Sequence, residues 1–258
     1  MPLFDICKSS EGNVGTMGLA SLFSKALERI AIRSLERTSY MYVGGHGRML
    51  RNLGLRENPV IFDIGGNLGQ SVREYRSLFP KAFIHSFEPD PACYAELQKV
   101  CGRDGQAIAN HLGVADSVGS LELNRNSSSA TNSFVPLDMT SSWRASIQSV
   151  TIDKIEVPVT TIDAYCINNN IDCIDLLKID TQGYEVECLS GGLTMLSQRR
   201  IKFIRVEVIL ASFYQRRVSF GDIENVLGKY GYVLWGIFDL HYSSDGQLCQ
   251  ADALYCCP

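Results

Sequence analysis

The sequence predicts an α/β protein built on a parallel sheet covered by helices on both faces. Three observations carry that expectation. From Val60 onward, short apolar runs alternate with helical segments of about ten residues. A glycine-rich bend, Asp63-Ile64-Gly65-Gly66-Asn67-Leu68-Gly69, joins the first apolar run to the first helix. The 258 residues are 45% hydrophobic and 20% charged, enough apolar mass for a full core.

Taken in order, residues 17–37 read as an amphipathic helix. Leu19, Leu22, Phe23, Ala26, Leu27 and Ile30 recur mostly at three- and four-residue steps. Lys25, Arg29, Arg33 and Arg37 form a basic stripe on it, either a solvated face or a surface for anionic lipid at a membrane periphery or for an acidic partner. The flexible stretch 42–47 ends this helical extension, assigned to residues 1–55, and the main domain is assigned to 56–258. Strands are expected at 60–64, 82–87 and 107–114, with helices at 68–79 and 91–101. Residues 118–123 alternate as an exposed strand, and the Ser- and Asn-rich stretch 124–149 reads as an irregular loop. Strands at 156–159, 174–179 and 202–208 follow, with helices at 162–168 and 220–230. The strands at 232–238 and 251–256 are too close for a crossover, so they form an antiparallel hairpin at one edge.

The chain carries 24 Lys+Arg against 28 Asp+Glu, a net charge of -4. That balance argues against a general nucleic-acid binder, which needs a basic surplus to displace counterions. No segment approaches the roughly 20 apolar residues of a membrane span, and residues 1–5, with neither a basic head nor an apolar run, are not expected to act as a secretion signal. The nine cysteines include no C-x-x-C pair and mostly sit in apolar runs. They read as small buried hydrophobes in a reducing cytoplasm, with no disulfide framework and no metal site.

The bend does not follow the dinucleotide pattern G-x-G-x-x-G. Counting from Gly65, Asn67 and Gln70 stand where the second and third glycines would be. Asp63 ahead of the glycines would repel a diphosphate and suits a ligand bearing an ammonium, such as S-adenosyl-L-methionine. Glu88, in Phe87-Glu88-Pro89-Asp90 at the end of the second strand, can accept hydrogen bonds from ribose hydroxyls. Asp116 either reaches an adenine edge or is a turn residue. The block Leu177-Lys178-Ile179-Asp180-Thr181-Gln182-Gly183-Tyr184-Glu185 ends an apolar strand in charges, which must pair or line a cavity. Lys178 with Asp180 is open to reading as an ion pair, and Glu185 as a helix first-turn residue.

Together these motifs resemble the FkbM family of S-adenosylmethionine-dependent methyltransferases. The match extends through Thr161-Ile162-Asp163, Arg205-Val206-Glu207-Val208 and Ala251-Asp252-Ala253-Leu254-Tyr255, and covers roughly residues 60–255. Gly66 stands where the family often has Ala, a departure expected to leave binding intact. The resemblance implies a Rossmann-like class I methyltransferase fold, a seven-stranded mostly parallel sheet with an antiparallel last strand. It implies O-methylation of a saccharide, glycolipid or polyketide-like acceptor with a free hydroxyl. By motif, Asp63, Gly65, Gly66, Asn67 and Gly69 would hold the methionine part, Glu88 and Pro89 the ribose, and Asp116 would sit near adenine. Asp180 would stand between cofactor and acceptor. It is the first candidate for a general base, followed by Glu185, Glu207 and His241. Mg²⁺ held by Asp180 and Glu207 is an optional addition that no ligand spacing requires. Trp143 in the 124–149 loop is either an anchor of that loop or a stacking platform for a sugar. The competing readings are a non-catalytic S-adenosylmethionine-binding domain, an N-methyltransferase and a nicotinamide oxidoreductase. The acceptor's identity and the oligomeric state are not legible in the residues.

Overall fold

The computed structural model describes residues 50, 54–141 and 149–257. The helix expected at 17–37, Cys7 and Trp143 lie outside them.

Seven strands form the main sheet. Strand β1 (Val60–Ile64) leads through the glycine bend into α1 (Gln70–Leu78), and β2 (Phe83–Phe87) leads into α2 (Pro91–Cys101). Strand β3 (Ala107–Asn110) ends this half of the sheet. The chain then builds a small second sheet from β4 (Gly113–Val114), β5 (Gly119–Asn126) and β6 (Thr151–Thr160). It returns through α3 (Ile162–Asn168) to β7 (Ile174–Ile179) at the centre. Two short helices, α4 (Glu185–Ser190) and α5 (Leu193–Ser197), precede β8 (Ile201–Ile209). Helix α6 (Phe220–Leu227) and the hairpin of β9 (Val233–Tyr242) and β10 (Leu248–Cys256) complete the chain. The order across the sheet is β3-β2-β1-β7-β8-β10-β9. Strands β1, β2, β3, β7 and β8 pair in parallel, while β10 runs antiparallel between β8 and β9.

The sequence dictates the layers directly. All six residues of β7 are buried, as a strand covered on both faces requires. Alternate residues of the central strands feed two separate cores. Phe62, Ile64, Leu177 and Ile179 pack on one face, and Ile61, Leu176, Tyr75 and Leu97 on the other. Helix α2 starts where Asp90 caps it, accepting from the backbone N–H of Ala92 and Cys93, with Pro91 in the first turn.

Three expectations are corrected, and two helices were not anticipated. The run 107–114 is two strands in two sheets, because the chain leaves β2 after Asn110 and pairs Gly113 and Val114 with Val159 and Thr160. The first helix begins at Gln70 and not Leu68, because the bend continues through Asn67 (φ 43°) and Gly69. Residues 124–126 extend β5, and Asn124 bridges to Ser133, so the start of the Ser-rich stretch is ordered. Helices α4 and α5, of six and five residues, are too short to show periodicity in the sequence. Among the described residues the eight cysteines are free, six of them buried, and no helix is long and apolar enough to cross a membrane.

Candidate active site

The parallel strands point their carboxyl ends at one cleft of about 530 Å³. The glycine bend after β1, Glu88 and Pro89 after β2, and Asp180 to Gln182 after β7 line it. Residues 129–134, Glu207, Phe213, Tyr214 and Gln250 complete the wall.

The bend is closed on itself. Gly65 and Gly66 both donate to the Phe87 carbonyl, at 3.1 and 2.9 Å. The Asn67 N–H donates to Glu88 Oε2 at 2.8 Å, that of Leu68 to Gln70 Oε1 at 3.1 Å, and that of Gly69 to the Gly66 carbonyl at 2.8 Å. No backbone donor of the bend is left for a phosphate, and an acidic side chain stands beside it. This physical arrangement disfavours a diphosphate and suits a neutral or cationic ligand. Gly65 has φ 84°, and a Cβ there would lie 1.9 Å from the Asp180 carbonyl oxygen. The two motifs are thus packed backbone to backbone.

Asp63 sits elsewhere than expected. Its side chain is fully buried behind the bend, accepting from Ser86 Oγ at 2.6 Å and paired with Lys178 Nζ at 3.1 Å. Lys178 Nζ also donates to the Gly65 carbonyl at 3.1 Å and lies 3.4 Å from Asp180 Oδ2. Burial opposes charge on Lys178, but Asp63 and then Asp180 outweigh it and hold the ammonium above its ordinary range. Asp63 and Lys178 therefore brace the bend from behind.

Ser86 also explains Gly66. A Cβ on Gly66 would fall 2.2 Å from Ser86 Oγ, so this chain fills with a serine the space that a methyl would take. Gly66→Ala is expected to destabilise the protein by about 1–3 kcal/mol in urea unfolding. In a Ser86→Ala background the same change is expected to cost much less. An additive double-mutant cycle would overturn this coupling.

Glu88 lines the cleft with both oxygens engaged, Oε2 by Asn67 and Oε1 by the Asp90 N–H at 2.8 Å. Burial pushes its carboxyl up to about 7, against the opposing pull of those two N–H groups. Asp90, just beyond it, receives Arg125 Nε at 2.6 Å besides capping α2.

Three carboxylates were expected near the chemistry, and two meet. Asp180 and Glu207 share the cleft wall, bridged by Gln182, whose Nε2 lies 3.0 Å from Asp180 Oδ1 and 2.6 Å from Glu207 Oε2. Burial works against ionising Asp180, but Lys178 and Gln182 prevail and keep its carboxyl below the usual range. Glu207 is pushed well above its range, by burial first and by Asp180 second. One wall thus holds an ionised carboxylate beside one that tends to keep its proton. Glu185 is not in the cleft. It is buried and folds back on its own turn, accepting from the N–H groups of Thr181 and Gly183 at 3.2 and 2.9 Å. His241 lies exposed on edge strand β9, opposite Gln250 and outside the cleft. Asp116 is exposed after β4 and is not among the lining residues, where Leu112, Gly113 and Val114 occupy that end. Asp180 and Glu207 are the only expected metal candidates, and no group of three His, Cys, Asp or Glu converges among the described residues.

Sequence reasoning missed Gln182 and Tyr214. Gln182 lay within a recognised block, but its role depends on β8 and on the 129–134 segment, which only the fold brings near.

Comparison with known proteins agrees with the geometry. A model of the methyltransferase FkbM domain matches residues 63–234. The 2-O-methyltransferase NoeI of Sinorhizobium fredii (strain NBRC 101917 / NGR234) is 28% identical over 190 residues, 71% of this chain and 76% of NoeI. The methyltransferase sdnD of Sordaria araneosa is 27% identical over 159 residues, 53% of this chain and 61% of sdnD. The crystal structure of methyltransferase FkbM from Methylobacillus flagellatus KT superposes with a TM-score of 0.50 at 15% identity. It covers 78% of this chain, which spans only 44% of that one, so it speaks for the fold alone. With the strand order, the glycine bend and the matched domain in agreement, the chain belongs to the FkbM methyltransferase family and has the S-adenosylmethionine-dependent class I fold.

Proposed function

We propose that this protein methylates a hydroxyl of a saccharide, glycolipid or polyketide-like acceptor, using S-adenosylmethionine. The observation that carries this reading is the Asp180–Gln182–Glu207 group facing the same cleft as the glycine bend and Glu88. The resemblance to a protein named as a 2-O-methyltransferase supports the hydroxyl as target.

S-adenosylmethionine, when bound, supplies an electrophilic methyl group on a sulfonium centre. The residues present fit it. The bend offers a phosphate-free cradle for the amino-acid part, Glu88 keeps acceptor capacity for the ribose, and Leu112 to Val114 with Phe134 border the adenine end. Asp116 has no part in this assignment, and Asp63 contributes by holding the bend. Asp180, ionised beside Lys178, takes the proton as the acceptor oxygen forms its new bond, and Glu207 beside it tunes that carboxylate. The polar wall of Gln182, Gln250, Thr131 and Asn132, with Phe213 among them, suits a polyhydroxyl acceptor lying over an apolar edge.

The test is transfer of labelled methyl to pools of neutral oligosaccharides, glycolipids and polyketide alcohols, with amines as comparison. Asp180→Asn is expected to lower kcat by about 10²–10⁴-fold with S-adenosylhomocysteine affinity unchanged. Wild-type turnover in that variant would remove Asp180 as the base, and label found only on amines would overturn the acceptor class.

Glu88 gives a second expectation, readable without an acceptor. Its ionised form accepts hydrogen bonds from ribose hydroxyls, and its carboxyl is pushed up to about 7. Affinity for S-adenosylhomocysteine should therefore weaken as pH falls through 7, by about tenfold per pH unit below it. Glu88→Gln should bind more weakly above pH 7 and lose that slope. Calorimetry at pH 6, 7 and 8 checks it, and a wild-type affinity independent of pH contradicts it.

A further inference from the structure

Gln182 is held from three directions. Its amide nitrogen faces Asp180 and Glu207 together. Its amide oxygen lies 2.9 Å from the Tyr214 hydroxyl, which also stands 3.2 Å from the Thr131 carbonyl oxygen. Its own carbonyl accepts from Ser133 Oγ at 2.8 Å. Its backbone is left-handed, φ 58°, which a glutamine adopts only when its surroundings over-determine it. Tyr214 is buried, and its hydroxyl has two acceptors in reach, the Gln182 amide oxygen and the Thr131 carbonyl; turning the carboxamide would place its oxygen against two carboxyl groups, so the orientation shown is the one both sides favour. Gln182, by side chain and backbone and through Tyr214, thus links the β7 turn, strand β8 and the segment around Thr131 and Ser133.

We infer that Gln182, oriented by Tyr214, is the positioning residue that joins Asp180 and Glu207 into a single proton-accepting pair for the acceptor hydroxyl. The inference rests on the base reading given under Proposed function. The step balances within it. The acceptor O–H bond breaks, its oxygen forms the bond to the methyl carbon as the S–CH3 bond breaks, and the proton goes to the carboxyl pair. The pair starts with one proton and one negative charge and ends neutral with two protons. The sulfonium charge is discharged in the same event. Gln182 contributes no proton. It fixes where the two carboxyl groups stand, and its N–H groups favour the ionised form over the protonated one.

The test uses the full chain with Asp and Glu side-chain carboxyl carbons labelled, in saturating S-adenosylhomocysteine, titrated by carbon NMR. Gln182→Gly removes the amide at a backbone conformation that glycine adopts freely, which partly offsets the lost side-chain hydrogen bonds, and a cooperative unfolding transition checks that the variant is folded. The lower of the two linked titration steps of Asp180 and Glu207 should rise by about one pH unit, and Tyr214→Phe should move it the same way by less. In parallel, Gln182→Gly should lower kcat at least tenfold while the KM for S-adenosylmethionine stays within a factor of two. Titration curves superposing on wild type in Gln182→Gly would overturn the inference, even where Asp180→Asn and Glu207→Gln abolish transfer. Wild-type transfer in both carboxyl variants would instead overturn the base reading itself, and the catalytic meaning of Gln182 with it.

Discussion

Gly65→Ala is expected to lose both stability and cofactor binding. The left-handed backbone at this position (φ 84°) costs an alanine about 1–2 kcal/mol. The added methyl would meet the Asp180 carbonyl oxygen at 1.9 Å, an overlap with backbone that no rotamer change relieves. Overpacking of this kind adds about 1–3 kcal/mol, so a total near 2–5 kcal/mol is expected in urea unfolding. The cleft must also suffer, because pushing β1 from β7 displaces the bend and Asp180 together. S-adenosylhomocysteine affinity should fall at least a hundredfold by calorimetry, about 2.7 kcal/mol. A variant with wild-type stability and affinity would show that the two motifs are not packed as described.

Lys178→Met should be comparably severe, for an electrostatic reason. Lys178 and Asp63 are both buried, and among the described residues Ser86 is the carboxylate's other partner. Removing one partner of a buried pair leaves an uncompensated charge, at about 3–5 kcal/mol. Asp63→Asn with Lys178→Met should recover more than half of that loss, because the second change removes the stranded charge. Lys178 is held above its ordinary range, so its contribution is fully present at neutral pH and fades only as pH rises through that elevated value. The comparison is urea unfolding of wild type, both single variants and the double variant at pH 7. Additive losses would show that the pair does not act as a unit. The single variant should also raise the Asp180 carboxyl toward the usual range, since Lys178 is the foremost influence holding it down.

Much of the fold was legible because it rests on local patterns. The buried run 174–179, the Pro91 helix start capped by Asp90 and the close pair of final strands are written in consecutive residues. Where a pattern served two partners, it misled. Residues 107–114 read as one strand, yet they split between two sheets, because pairing with β6 is set by residues nearly fifty positions later. The site shows the same division. Glycine spacing and the acidic ends of β2 and β7 identify the cleft. The roles of individual carboxylates, however, follow from which neighbour each meets. Asp63 faces Lys178 and Ser86, Glu185 faces its own turn, and His241 is carried to an edge strand.

By itself, then, the sequence determined the alternating α/β architecture, the glycine bend and the family, since these depend on residue type at short spacing. Only the tertiary structure decided which carboxylates share the cleft, which one is pushed above its ordinary range, and that Gln182 stands between them with Tyr214 against its amide oxygen. Charge states and hydrogen-bond partners are properties of distance and burial, and residues 131, 182, 207 and 214 become neighbours only once β7, β8 and the 129–134 segment have packed.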